Sequence, residues 1–438
     1  MSGVTPYHRL YPELARRFDP AMPTTDLEPA GCAVEVSTHS FVSKSGIHSV
    51  ADYDGKNSTF RALVSFFLEN NPFSRRHFFR ELESADRDIV ENREFRYSVF
   101  EPKIDAPPQS ASPARPILLL HGLNEKSWDK YLPWAVRLAE DTGRPVILFP
   151  LAFHMNRAPE AWANPREMMG VANERRRLFP DLRAGSFANA ALSHRIQFAP
   201  QRFITSGLES YFNLVDLVRD IHSGGHPMFP AGTRVDLFGY SIGASISELL
   251  LMANRDGLFS DSRAFLLCGG SVLGNANPVS KAIMDDEAHR GLQTFLEAFV
   301  RDPAAALGLE PEKLAPMSRE IEIVRSMILP DALEDRREWV MRTVSERITA
   351  LVMSKDRVFH PDCMLASWRS SDGGSMLPVT VADPPYRYTH EQLFPPRGED
   401  EDAVDRFFDE MIARAVAALG PGPAAVNSRD TTRRAGPP

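Results

Sequence analysis

The stretch from residue 233 to residue 251, TRVDLFGYSIGASISELLL, constrains this chain more than any other. Val235, Leu237 and Phe238 make a β-rich apolar run, and Ile246, Leu249, Leu250 and Ala253 recur at helical spacing directly afterwards. Between the two stands Gly-Tyr-Ser-Ile-Gly. A strand that turns into a helix over so few residues strains the one at the apex, Ser241, and lifts its hydroxyl clear of the backbone. Gly239 and Gly243 leave the room, because a Cβ there would meet the strand below or the helix opposite. The motif in a loop would say little. In a strand-turn-helix setting it makes Ser241 a candidate nucleophile.

Other apolar runs match that setting. ILLL (residues 117–120), the run from Pro145 in PVILFPLAF, VDLFGY, AFLLCGG (264–270), ITALVMSKD (348–356) and LPVTVAD (377–383) make six apolar strands. Most are separated by helical patterns, which predicts a mostly parallel sheet with right-handed crossovers and helices on both faces. VEVSTHSFVSK (34–44) and REFRYSVFEPK (93–103) alternate instead and predict edge strands. FRALVSFFLEN is a candidate amphipathic helix, IDAPPQSASPARP a loop, and residues 402–419 a helix that lays Val404, Phe407, Phe408, Met411 and Val416 on the sheet. Two gaps, 153–206 and 271–347, are too long for simple crossovers and predict cap or lid insertions. The domain plan is an N-terminal extension over 1–91 without an assigned role, a main domain over 92–420, and a tail over 421–438 whose Pro, Gly and Ser content predicts disorder.

Composition narrows the function classes. A net charge of −8 weighs against non-specific binding to nucleic acid or to an anionic membrane, since both reward a basic surface. Cys32, Cys268 and Cys363 are odd in number and lack C-x-x-C spacing, so neither a disulfide framework nor a zinc site is expected, and Cys268 reads as a core residue. No stretch has the length and apolarity of a membrane span, and the first twenty residues lack the apolar run of a signal peptide. The expected address is a reducing cytoplasm, with no cofactor and no metal.

The order strand-His-Gly, strand, strand-G-x-S-x-G-helix, strand, strand-Asp, strand-loop-His resembles the α/β-hydrolase superfamily over roughly residues 93–419, interrupted by the two insertions. The resemblance implies that fold, a serine esterase- or lipase-like activity, and a triad in the chain order nucleophile, acid, histidine. His289, His360 and His390 lie beyond Ser241. His390, between the last strand and the last helix, stands where the family's base falls. His289 reads as a helix surface residue of the second insertion. His360 competes, but it follows Asp356 by four residues and would have to share the loop that supplies the acid. Asp356 follows its strand directly, at the end where catalytic groups collect in open α/β sheets, with Asp362 and Asp383 as alternatives. The oxyanion donors are expected to be the backbone N–H groups of Ile242 and Leu123, with help from the Asn124 side chain.

An ester is the expected substrate, a small molecule of medium size and partly apolar, as the caps suggest, cleaved through an acyl-enzyme on Ser241; a thioester, an amide or acyl transfer would use the same parts. The alternative of another class is a catalytically silent binding or scaffold protein, since fold does not fix function. Arg157, Arg166, Arg175, Arg176, Arg177, Arg183, Arg195 and Arg202 suggest an anionic substrate. The plainer reading, preferred here, is a solvated face paired with Glu160, Glu167, Glu174 and Asp181. Met155, Met168 and Met169 read as core packing, and His154 as a satisfied structural histidine. The oligomeric state is not legible.

Overall fold

The computed structural model describes residues 5–45, 47, 79, 82–103, 115–270, 272–398 and 400–420. The helix expected at FRALVSFFLEN, most of the loop IDAPPQSASPARP and the tail beyond residue 420 lie outside them. One sheet runs in the order β1 (Thr24–Asp26), β2 (Val34–Val42), β3 (Glu94–Pro102), β5 (Val146–Leu148), β4 (Ile117–Leu120), β6 (Asp236–Tyr240), β7 (Ala264–Leu267), β8 (Ile348–Met353) and β9 (Val379–Ala382). The six apolar runs are β4 to β9, and every pair among them is parallel. β1, β2 and β3 add an antiparallel flank.

The helices used below are α1 (Tyr7–Arg17), α2 (Leu132–Thr142), α3 (Pro165–Leu178), α4 (Ala190–Phe198), α5 (Arg202–Ser223), α6 (Ile242–Ala253), α7 (Asp286–Arg301), α8 (Ser318–Ser326), α9 (Pro361–Ser367) and α10 (Glu401–Leu419). Successive side chains of a strand point to opposite faces, so a strand apolar throughout feeds two cores. Leu118, Leu120, Ile147, Leu237 and Leu266 pack with α5 and α6. Ile117, Leu119, Val146, Phe238 and Leu267 pack on the other face with α1, α2 and α10. Each such leucine is fully buried, worth roughly 2 kcal/mol relative to exposure. Helices on both faces of a mostly parallel sheet, with Ser241 at the carboxyl end of an inner strand, make this the α/β-hydrolase fold.

Two expectations are corrected. Neither alternating run is an edge: VEVSTHSFVSK forms β2, bonded to β1 and β3, and REFRYSVFEPK forms β3, bonded to β2 and β5. The edges are β1, with its polar TTD, and β9, where Val381 is 47% exposed. Alternation reports which face of a strand is wet and carries nothing about whether both edges are bonded. The boundary at residue 91 also cuts through the sheet. β2 pairs with β3 along its whole length, from Val34 opposite Pro102 to Val42 opposite Glu94. Tyr7, Leu10 and Leu14 of α1 are buried against α2 and α10, and the Tyr7 hydroxyl donates to the Phe394 carbonyl at 3.0 Å.

The first gap holds α3, α4 and the start of α5, which is the crossover to β6; the second holds α7 and α8. α4 packs on α7, joining the insertions to each other, and α8 packs on α6. The arginines depart from a uniformly solvated face. Arg166, Arg176, Arg177 and Arg183 are exposed, but Arg157, Arg175, Arg195 and Arg202 are buried. Arg175 forks onto Asp285 with two 2.8 Å bonds, Arg157 reaches Glu209 and Asn213, and Arg195 and Arg202 share Asp86. These partners lie outside the arginine-rich stretch, so the local charge pattern could not reveal them. Met155 and Met168 are buried as expected, while Met169 is exposed.

Candidate active site

β6 passes into α6 through Ser241, whose φ of 56° and ψ of −122° are a strained pair for a residue with a side chain. A Cβ on Gly243 would stand 2.3 Å from the Leu120 carbonyl oxygen, and one on Gly239 2.5 Å from Ala244 Cα. The turn is therefore closed to any larger residue at those positions.

The Ser241 hydroxyl lies 2.8 Å from His390 Nε2, and His390 Nδ1 lies 2.7 Å from Asp356 Oδ2. All three side chains are buried. The other Asp356 oxygen accepts the N–H groups of Val358 at 2.8 Å and Phe359 at 3.0 Å, which fixes the carboxylate and leaves Oδ2 for the imidazole. With a carboxylate on Nδ1, that nitrogen carries the ring proton and Nε2 is free to accept from the serine. The loop bearing His390 is anchored from the motif itself. Tyr240 donates its hydroxyl to the His390 carbonyl and stacks on the ring at 5.5 Å and 19°.

The competing residues are placed elsewhere. His360 caps α9, accepting the Asp362 N–H at 3.3 Å, and is exposed. Asp383 pairs with Lys355 at 2.8 Å on the surface, and Asp362 is exposed. His289 departs from its expected place on an outer helix face: it is half-buried on α7 and lines the cleft that contains Ser241.

Leu123 and Ile242 border that cleft on either side of Ser241. The N–H of Ile242 stands at the first position of α6, where a helix has no acceptor of its own, and among the described residues no backbone carbonyl takes the N–H of Leu123. Asn124 does not assist as expected. Its amide donates to the carbonyls of Ala188 and Ala282, one in each insertion, and so ties them to the loop after β4. His154 is satisfied, with Nδ1 on the Ala152 carbonyl and Nε2 accepting from the Asn124 N–H.

Two apolar arms meet at Leu123, Phe203, Ile242 and Leu273, and Ser241 lines the first of them. One, with about 600 Å³ of empty volume, runs toward Leu292 and Leu296 of α7, where His289 and Gln293 are its polar points. The other passes Ile246 and Leu249 of α6 to Val324 and Met327. Among the described residues, no group of three or more His, Cys, Asp or Glu is placed to hold a metal ion, and no helix is long and apolar enough to cross a membrane.

Reasoning from sequence missed three features. Tyr240 stood at a variable position of the motif, although a buried tyrosine needs a hydrogen-bond partner. Cys268, at the end of β7, lies beside Asp356, and burial first and that carboxylate second push its thiol up. Gly269 lies against Ser241: a Cβ there would stand 2.2 Å from the serine carbonyl oxygen. The doubled glycine in AFLLCGG was the available signal.

A family model described as a family of unknown function, DUF6051, matches residues 5–420. No curated protein matches the chain. Among solved structures, the chain is similar to a thermostable esterase from Pseudomonas putida, with 11% identity over 95% of this chain and 93% of that one and a TM-score of 0.41. It is also similar to a peroxisomal alpha-beta-hydrolase from Saccharomyces cerevisiae, with 13% identity, coverage of 78% and 92%, and a TM-score of 0.37. A carboxyl esterase from Tuber melanosporum gives 12% identity, coverage of 74% and 83%, and a TM-score of 0.37. At this distance the likeness carries nothing about substrate.

Proposed function

The chain belongs to DUF6051, a family of unknown function, and from that premise we propose that it is a serine hydrolase that cleaves a carboxylic ester through an acyl-enzyme on Ser241. The observation that carries the proposal is the hydrogen-bonded line from Ser241 Oγ through both His390 nitrogens to Asp356, 2.8 Å and 2.7 Å long. As Oγ attacks the ester carbonyl, its proton passes to Nε2, and the imidazolium so formed is stabilised by Asp356, which stays ionised. The N–H groups of Leu123 and Ile242 donate to the oxyanion; in comparable sites the loss of one such donor costs about 3 kcal/mol. His390 then returns the proton to the leaving alcohol, and water repeats the sequence to free the acid.

The apolar arms suit a medium-sized, partly apolar acyl compound, and the insertions over 153–206 and 271–347 act as the cap that shapes them. Thioesters, amides and acyl transfer to a second acceptor would use the same groups. A silent scaffold would need a broken or filled site, and Ser241 instead lines an apolar cleft with its base in hydrogen-bond reach. A fluorophosphonate probe tests the reading: it should label the folded wild type and leave Ser241→Ala unlabelled. An unlabelled wild type would sink the proposal.

A further inference from the structure

A third pocket opens beside Leu123, sharing Ala152, His154, Phe203 and Ser206 with the arm that leads to Met327. Its charged lining is Lys126, Arg195 and Arg202, and among the described residues no carboxylate lines it. We propose that this pocket seats a carboxylate carried by the substrate at a distance from the scissile ester, so that the protein acts on half-esters of dicarboxylic acids or on similarly charged acyl compounds. The proposal rests on reading Ser241 as the nucleophile.

The charge balance is the argument. Arg195 and Arg202 are both buried and lean on one carboxylate, Asp86, the second at 3.0 Å. Both also donate to backbone carbonyls, to Leu82 at 3.0 and 3.3 Å and to Ser84 at 2.7 Å. Arg195 is held further by Trp162, whose ring centroid lies 4.3 Å from the guanidinium carbon. Among the described residues, two buried cations thus share one anion. Lys126 adds a third cation and forms no hydrogen bond or ion pair with a described residue. Its neighbour Glu125 is already taken by the Lys130 ammonium and the Tyr131 hydroxyl. Positive charge in excess, partly removed from water, favours an anion far more than the same charge on a surface. Both guanidinium groups already bond to protein, which leaves the Lys126 ammonium as the least engaged cation of the pocket, and a single point charge suits a singly charged carboxylate better than a phosphate dianion. Burial pushes the Lys126 amine down to about 8, so it is still protonated at neutral pH.

The test compares p-nitrophenyl hydrogen adipate with p-nitrophenyl hexanoate, equal in acyl length and differing in the terminal carboxylate. Wild type should favour the adipate half-ester at least ten-fold in kcat/KM. Lys126→Gln should cut that ratio about ten-fold, Lys126→Arg should keep most of it, and Arg166→Gln, on the exposed face of α3, should leave it unchanged. A wild-type ratio near one, or a ratio untouched by Lys126→Gln, overturns the proposal. If neither ester turns over and no fluorophosphonate label appears, the nucleophile reading has failed by itself. Calorimetric binding of adipate, to wild type and not to Lys126→Gln, then judges the anion pocket alone, and no binding to wild type overturns it.

Discussion

His121 and His154 lace two loops together from opposite sides, with their ring centroids 5.0 Å apart. His121, following β4, accepts the N–H of Leu151 beyond β5, and His154, beyond β5, accepts the N–H of Asn124 beyond β4, both at 2.9 Å. Each ring directs Nδ1 to a nearby carbonyl, Gly122 and Ala152, at 2.8 Å. Only a neutral imidazole with its proton on Nδ1 can make both bonds. The bond from Asn124 fixes the peptide next to Leu123, so one proposed oxyanion donor is held by residues outside the serine motif.

This lacing should come undone in acid. Burial, the leading cause in both cases, holds His121 well below the usual imidazole range and pushes His154 down to about 4. In the unfolded chain both rings take up a proton near pH 6.5, so their contribution to stability is whole above that pH and drains away as the pH falls from there toward the folded value, which for His154 is about 4. For His154 the amount at stake is about 3 kcal/mol. Urea unfolding at pH 7 and pH 4.5 checks this: wild type should lose more stability across the interval than His154→Gln. Equal losses would clear the ring of this role.

Asp356→Asn should lower kcat by about 10⁴-fold, as an amide at Oδ2 would favour the wrong imidazole tautomer. The fold should survive, because the carbonyl oxygen of an asparagine can still accept from Val358 and Phe359. His360→Ala removes only a helix cap, worth about 1 kcal/mol, and should keep full ester hydrolysis. Hydrolysis lost with His360→Ala and kept with His390→Ala would reverse the assignment of the base.

Gly269→Ala should inactivate without touching any triad member. The new methyl would stand 2.2 Å from the Ser241 carbonyl oxygen and 2.7 Å from its Cα, backbone atoms that cannot step aside. Either the serine turn or the loop after β7 must move, and a displacement of about 1 Å at a reacting group costs on the order of 10²-fold in rate. A kcat within two-fold of wild type would show that the loop yields instead.

The legible part of this chain was whatever is written in consecutive residues. β4 to β9 announce themselves as apolar runs, Ser241 and Asp356 sit at or just after a strand end, and His390 lies in the loop between the last strand and the last helix, so chain order alone brings forward the three groups that meet. β1 is three polar residues held by pairing to β2, and no local pattern marks it. The buried arginines were illegible for the same reason: Asp285 is 110 positions from Arg175 and Asp86 is 109 from Arg195. Asn124 has the right chemistry and the right loop for an oxyanion donor, but the insertions claim its amide first.

The joint between the insertions should be energetically exposed at one residue. Asp285 takes both bonds from buried Arg175, and it also caps α7 by accepting the Ala288 N–H at 2.9 Å. Removing one partner of a buried pair strands the other charge, at a cost of about 3–5 kcal/mol, whereas loss of a cap alone costs about 1 kcal/mol. Asp285→Ala combines both losses and should lower the unfolding free energy by several kcal/mol; Asp285→Asn can keep the cap and should fall between it and wild type. Denaturant unfolding measures the order, and limited proteolysis should cut Asp285→Ala first between α3 and α7. If Asp285→Ala unfolds within 1 kcal/mol of wild type, the two insertions are held by the apolar contact of α4 with α7 and the ion pair is dispensable.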